Sequence, residues 1–285
     1  MLIATSKGAL RSLRAFFVLL VVFLYLPIAL LALFSFNAGD VSFPLEGFTT
    51  EWYRRVFTNP TLLAALQRSA IVATVSSVIA VALGVLASFA LIRRRFPGKA
   101  AASSLFFSPL VVPYVVFGIS LLVLFTFVDK LLIDATGFYI GLGLHAVVVG
   151  HVVVSLPYTI LTIMPLLERL SVSLDEAAHD LGAGTWSTFR RITLPLLLPA
   201  LVSSFLIAFT LSFDEFAIAS FLAGTQTTWP VFLFAQLRVP SQLPVLVAVS
   251  SMILLVSLLL VLAAEFGRRR AERRYGPGYT ARGIA

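Results

Sequence analysis

Few residues of this chain can do chemistry, and they fall at three places. His145 and His151 lie six residues apart in an apolar stretch. At about 100° per helical residue they sit on different faces, so they are no metal pair. The polar stretch "SVSLDEAAHDLGAGTWSTFRRITLP" (Ser171 to Pro195) holds His179 among several acids. The third place is Ser212 with Asp214 and Glu215. There is no Cys, which excludes disulfides, thiolate metal sites and Cys nucleophiles. No GxxxxGK[ST] phosphate loop occurs, and no Ser/His/acid constellation stands out. The residues therefore predict neither a catalytic site nor a metal site in this chain.

Those three places must be positioned by elements suited to lipid. The 285-residue chain is 59% hydrophobic and 12% charged, against about 25% charge in a soluble domain. A bilayer core needs about 20 apolar residues per helix. Six stretches qualify: Ala15–Phe36, Ser69–Ile92, Ser103–Val128, Leu142–Met164, Leu194–Phe213 and Pro244–Ala264. The first follows Lys7, Arg11 and Arg14 as a signal peptide would. Its apolar run is too long for one and lacks a convincing small-residue cleavage site, so it reads as a retained span.

Basic residues orient the spans. With both ends in the cytoplasm, 16 of the 21 Lys and Arg fall inside, and only Arg54, Arg55, Arg68, Lys130 and Arg238 fall outside. The net charge of +8 is then a topology signal and not a nucleic-acid signal. The basic tail from Arg268 to Arg282 reads as an anchor beside the last span.

Within the second span, Ser69, Ala73, Ser77, Ala80, Gly84 and Ser88 recur at spacings of four or three, a small-residue stripe that admits a neighbouring helix. Pro109, Pro113 and Pro157 predict bends in the third and fourth spans. Residues 48–57, with Phe48, Trp52, Tyr53 and Phe57, and residues 228–238 suit helices lying at the membrane surface. Either segment is also open to contact with an outside partner.

The polar loop lies between the fourth and fifth spans, on the side of the termini. Its four acids (Glu168, Asp175, Glu176, Asp180) outnumber its three bases (Arg169, Arg190, Arg191), so orientation alone does not explain it. It reads as helix, break, helix. Ser173 predicts a cap with Glu176 three residues on, as in a capping box. Gly182 and Gly184 predict the break. Thr185 or Ser187 starts a second short helix, and Pro195 suits the first turn of the fifth span. Two small helices folded in an L, with small Ala side chains on one face, would form a rigid knob.

This loop resembles the EAA loop of permease subunits of binding-protein-dependent ABC importers. The pattern is EAA, three residues, Gly, nine residues, Ile, one residue, Leu-Pro. The chain matches it at Glu176-Ala177-Ala178, Gly182, Ile192 and Leu194-Pro195. The resemblance implies an all-α integral membrane fold of the type I importer permease, with six transmembrane helices and a cytoplasmic coupling loop between helices 4 and 5. One permease domain would cover 1–285, the loop taking about 165–195. Those seven residues would dock the chain onto an ATPase. The family also implies a second permease subunit, expected to be a paralogue, two ATPase subunits, and an extracytoplasmic solute-binding protein. ATP and Mg would be bound by the ATPase, leaving this chain without a cofactor. The setting would be the bacterial inner membrane, with no nucleic acid involved.

The segment "FTLSFDEFAIASFLAGTQTTWPVFLFAQLR" (Phe209 to Arg238) resembles the polyamine branch of these permeases, which handles spermidine or putrescine. Within it, Asp214 and Glu215 have two readings. One is helix capping, or pairing with Arg238 or with a second permease. The other is an acidic gate for a cationic solute, oriented by Ser212. A channel or secondary carrier would need ionisable residues or an internal repeat, and the spans offer little of either.

Overall fold

The computed structural model describes residues 7–39 and 44–275. Arg282 of the basic tail lies outside the described residues. The helices in chain order are α1 (Lys7–Phe34), α2 (Glu51–Thr58), α3 (Pro60–Arg93), α4 (Lys99–Phe107) and α5 (Tyr114–Thr136). They continue as α6 (Leu144–Arg169), α7 (Val172–Asp180), α8 (Thr185–Thr188), α9 (Leu194–Phe213), α10 (Ala217–Leu222), α11 (Trp229–Gln236) and α12 (Leu243–Tyr275). Among the described residues, six helices are long and apolar enough to cross a membrane. They are Leu10–Phe34, Pro60–Arg93, Tyr114–Thr136, Leu144–Arg169, Thr185–Phe213 and Pro240–Leu259. The chain divides into two compact units, Thr61–Phe232 and a unit of the flanking segments.

The flanking unit holds the first and last spans, and α1 packs against α12. Leu19 and Phe23 of α1 are among the side chains exposed along that helix. Asn37 organises the turn after α1. Its side chain donates to the Pro44 carbonyl and accepts from the Glu46 amide. The Trp52 indole donates to the Asn37 carbonyl at 2.6 Å, which anchors α2 through a buried aromatic. Arg55 lies over the Trp52 ring, 4.7 Å from its centre.

The central unit carries the other four spans. Its core joins α3, α5, α6 and α10 through Val72, Leu121, Val147, Val154, Ile218 and Leu222. The small-residue stripe of α3 is buried along its whole length. At Gly84 the reason is direct: a Cβ there would collide with the Thr159 side chain of α6. Thr159 Oγ1 donates to the Ala80 carbonyl at 3.1 Å, so the two helices also meet through a hydrogen bond.

The third span departs from the sequence expectation. Pro109 and Pro113 do not bend a helix from Ser103 to Val128; they end one. α4 stops at Phe107, a short 3-10 turn covers Ser108–Leu110, and α5 begins after Pro113, whose ψ is 135°. Two prolines four residues apart remove two backbone donors, and the chain turns extended only at Pro113, just before α5. The span therefore runs to Thr136. Pro157 lies inside α6, which continues through it.

Candidate functional site

The polar loop begins where Arg93, at the end of α3, reaches the end of α6. Its Nη2 donates to the Leu170 carbonyl at 2.7 Å. A cation at a helix C-terminus suits both the unpaired carbonyls and the helix dipole. α7 starts next, and its cap is Ser171, whose Oγ accepts from the Ser173 amide. The expected capping box of Ser173 with Glu176 is not formed. With the cap two residues earlier, Glu176 falls beyond the third helical position that a capping box requires.

α7 ends as the glycine predicts. Gly182 has φ +79°, the Gly182 amide donates to the His179 carbonyl, and the Ala183 amide donates to the Ala178 carbonyl. Gly184 has an extended φ of −70° and supplies the start of the next helix instead. The two Ala residues do not share an outward face. Ala178 is buried, while Glu176 and Ala177 are exposed, as adjacent residues about 100° apart on a helix must be.

The second short helix is not a separate arm of an L. α8 passes through one π-helical turn, Phe189–Thr193, straight into α9. Thr185–Phe213 is thus one continuous helical run with a π-bulge near its start. Ile192 and Leu194 are half-buried, Pro195 is exposed, and Thr188 and Thr193 are buried. Trp186 stacks on Phe189 at 5.6 Å, and Phe189 meets Phe89 edge-on at 5.8 Å. Leu181 is 89% exposed and Trp186 71% exposed, so the loop presents two large apolar side chains beside Glu176 and Ala177.

The second site lies where the chain breaks between α9 and α10. Ser212, Asp214 and Glu215 are close in sequence but meet different surroundings. Glu215 is buried, and its carboxylate accepts from the Ile218 amide at 2.9 Å and the Ala219 amide at 3.0 Å. It also meets His151 Nε2 at 3.2 Å. Ser212 Oγ lies 2.6 Å from His151 Nδ1 and 2.9 Å from Ser76 Oγ. Asp214 is exposed. The capping reading therefore holds for Glu215. Ser212 does not orient Asp214; it is turned into the core. Arg238 lies over the Phe234 ring.

A Ser, a His and a Glu thus come together although the sequence suggested no such constellation. The signal available was a His in an apolar span, but its partners are 61 and 64 residues away. All three side chains are buried. A nucleophile without access cannot meet a substrate, so the cluster acts as internal structure. Among the described residues, no three His or acidic side chains are grouped to hold a metal ion.

Comparison with known proteins places these features. The family described as "Binding-protein-dependent transport system inner membrane component" matches residues 80–275. The chain is 34% identical to the spermidine/putrescine transport system permease protein PotC of Shigella flexneri, over 89% of this chain and 92% of that one. It is 36% identical to the putrescine transport system permease protein PotI of Escherichia coli K12, over 76% of each. It is also 34% identical to the sulfate transport system permease protein CysT of Escherichia coli K12, over 76% of this chain and 82% of that one. A solved bacterial ABC transporter involved in importing the acidic polysaccharide alginate shares the fold. Its chain has a TM-score of 0.74 and 15% identity, over 91% of this chain and 94% of that one.

Proposed function

Since the chain belongs to the family of inner membrane components of binding-protein-dependent transport systems, we propose that it forms part of the pathway by which spermidine or putrescine enters the cytoplasm. It is a multi-pass inner-membrane permease subunit of an ABC importer, and its work is transport and not catalysis. Such an importer also requires an ATPase and a solute-binding protein.

The polyamine reading is carried by the identity to PotC and PotI over most of the chain. Similar identity to a sulfate permease means that the sign of the solute's charge must be judged from local groups. Asp214, the exposed acid at the break in the fifth span, favours a cation. An uncompensated carboxylate near lipid is costly, and one that persists faces a cavity or a partner.

Coupling is assigned to the loop. Glu176, Ala177 and Gly182, with Leu181 and Trp186, would enter the ATPase cleft. Ala178, Ile192, Leu194 and Pro195 would hold the loop against the fifth span. Two ATPases, each with ATP and Mg, a second and paralogous permease, and an extracytoplasmic binding protein would complete the machine. Both termini would be cytoplasmic.

The test is uptake by cells that lack their own polyamine importers and express this chain with its partner subunits. Labelled spermidine or putrescine should accumulate, and sulfate should not. Asp214→Asn should lower cation uptake about tenfold or more, an interaction with a charged group being worth about 1.5–3 kcal/mol. Sulfate uptake without spermidine uptake would overturn the polyamine reading. Normal spermidine uptake by Asp214→Asn would leave the subunit's role intact and remove the acid from the path.

A further inference from the structure

We propose that His151 is a positioning residue for solute passage, which holds Ser212 and Glu215 so that the break after Phe213 presents Asp214 to the path. The proposal rests on the reading of Asp214 as a contact for an organic cation.

With a neutral His151 ring the network has a consistent set of donors and acceptors. Glu215 is a carboxylate and accepts, so His151 Nε2 donates to it across 3.2 Å. In a neutral ring Nδ1 then accepts, and the Ser212 hydroxyl donates to it across 2.6 Å. Ser76 Oγ lies 2.9 Å from Ser212 Oγ, and its hydroxyl also reaches the Ala73 carbonyl at 3.3 Å. The contacts therefore form one chain of side chains, Ser76, Ser212, His151 and Glu215. Each of the four side chains is buried, and none of their polar atoms is left unpartnered. A satisfied buried network fixes a single arrangement, whereas a partly satisfied one is costly.

That arrangement ties together α3, α6 and α9, all in the central unit. It also reaches past the end of α9. Glu215 receives the Ile218 and Ala219 amides that begin α10, so His151 sets where the chain turns. Asp214 is the residue between the two ends of this device. Its amide closes the last turn of α9 on the Thr210 carbonyl, and its side chain is left exposed. Loss of His151 would leave Glu215 with only the two α10 amides and Ser212 with only Ser76, and the link between the two sides of the break that places Asp214 would be gone.

The experiment uses the complete importer with its ATPase and binding protein, reconstituted in proteoliposomes and supplied with labelled spermidine. His151→Gln keeps one acceptor and one donor, while His151→Leu keeps apolar volume and loses both. We expect Leu to lower uptake about tenfold and Gln to restore it to within about threefold of the parent, because buried partners left unpaired carry the cost. Asp214→Asn should lower uptake on its own but add less than about twofold in the Leu background, since the two positions act in series. Ser212→Ala removes the donor to Nδ1 without adding volume and should also lower uptake, which keeps a readout if the Leu complex does not assemble. Three results would overturn the positioning role: parent-like uptake by Leu or by Ser212→Ala, equal losses in Leu and Gln, or a full additional loss from Asp214→Asn in the Leu background. A parent-like Asp214→Asn importer would instead overturn the reading of Asp214, and the positioning role would fall with it.

Discussion

At the scale of single residues, two glycines do opposite jobs. Gly182 has φ +79° and open space where a Cβ would go. Substitution there acts through the backbone alone. Gly182→Ala should strain the turn by about 1–2 kcal/mol. The helix bundle is untouched, so the protein should insert normally while ATPase co-purification and uptake both weaken. Full uptake by Gly182→Asp would argue strongly against a docking role. Gly84 is the reverse case, with no unusual φ but no room beside Thr159. Gly84→Leu should cost about 1–3 kcal/mol or more through overpacking, read as a lower thermal midpoint in detergent. Both glycines were legible as glycines: one by its place between two short helices, the other by its spacing in a small-residue stripe. The capping serine was not. Ser171 and Ser173 both stand near the start of the helix, and only the backbone decides that Ser171 caps it while Ser173 lies inside. His151 was less legible still, because its two partners, Ser212 and Glu215, lie 61 and 64 residues away around the end of α9.

At the scale of elements, the polar loop forms the helix and break that its residues predict, and its second half differs from the expectation. The reason is physical. Pro195 suits a first helical turn, and it suggested a helix beginning near Leu194. A π-turn lets the helix continue backward from there to Thr185 without a fresh start. One inserted residue widens the turn and shifts the face that the preceding residues present. Trp186 consequently stacks on Phe189 and stays exposed. A rigid link of this kind can pass a displacement from the loop into the fifth span. Trp186→Ala should therefore weaken binding of the ATPase to the permease by about 30-fold or more, the scale of a buried aromatic anchor at an interface being about 2 kcal/mol or more. Unchanged binding would leave Leu181 and Glu176 as the contacts and make Trp186 a lipid-facing or packing residue. The third span repeats the lesson. Its apolar run was plain, yet composition cannot tell whether a proline bends a helix or ends it.

At the scale of the whole molecule, charge bears on which way the chain runs through the membrane. The six spans imply that both ends share a side, and the basic residues name the side. Lys7, Arg11 and Arg14 precede the first span; Arg93, Arg94, Arg95 and Lys99 follow the second; Arg190 and Arg191 precede the fifth. The segments assigned outside, 37–59, 137–143 and 214–242, carry only Arg54, Arg55 and Arg238 between them. Basic residues near span ends resist translocation, so this asymmetry predicts an orientation with both termini cytoplasmic. The described elements are compatible with it. α4 and the polar loop lie at the ends of the second and fourth spans, both on the cytoplasmic side of this topology. α2, with Trp52 buried and Arg54 paired to Glu51 at 2.9 Å, lies on the other side, where an aromatic and charged surface helix belongs. Reporter fusions at Lys99 and Gly276 should therefore read cytoplasm, and fusions at Asn59 and Thr227 should read the outside. The Thr227 fusion is the most demanding, because it follows the break at Asp214 and the short helix α10. An outside signal there means that the fifth crossing is complete before α11, with the acid near its outer end. A cytoplasmic signal at Thr227 would turn α10 and α11 back to the inner face, and Asp214 could no longer meet a solute arriving from a binding protein.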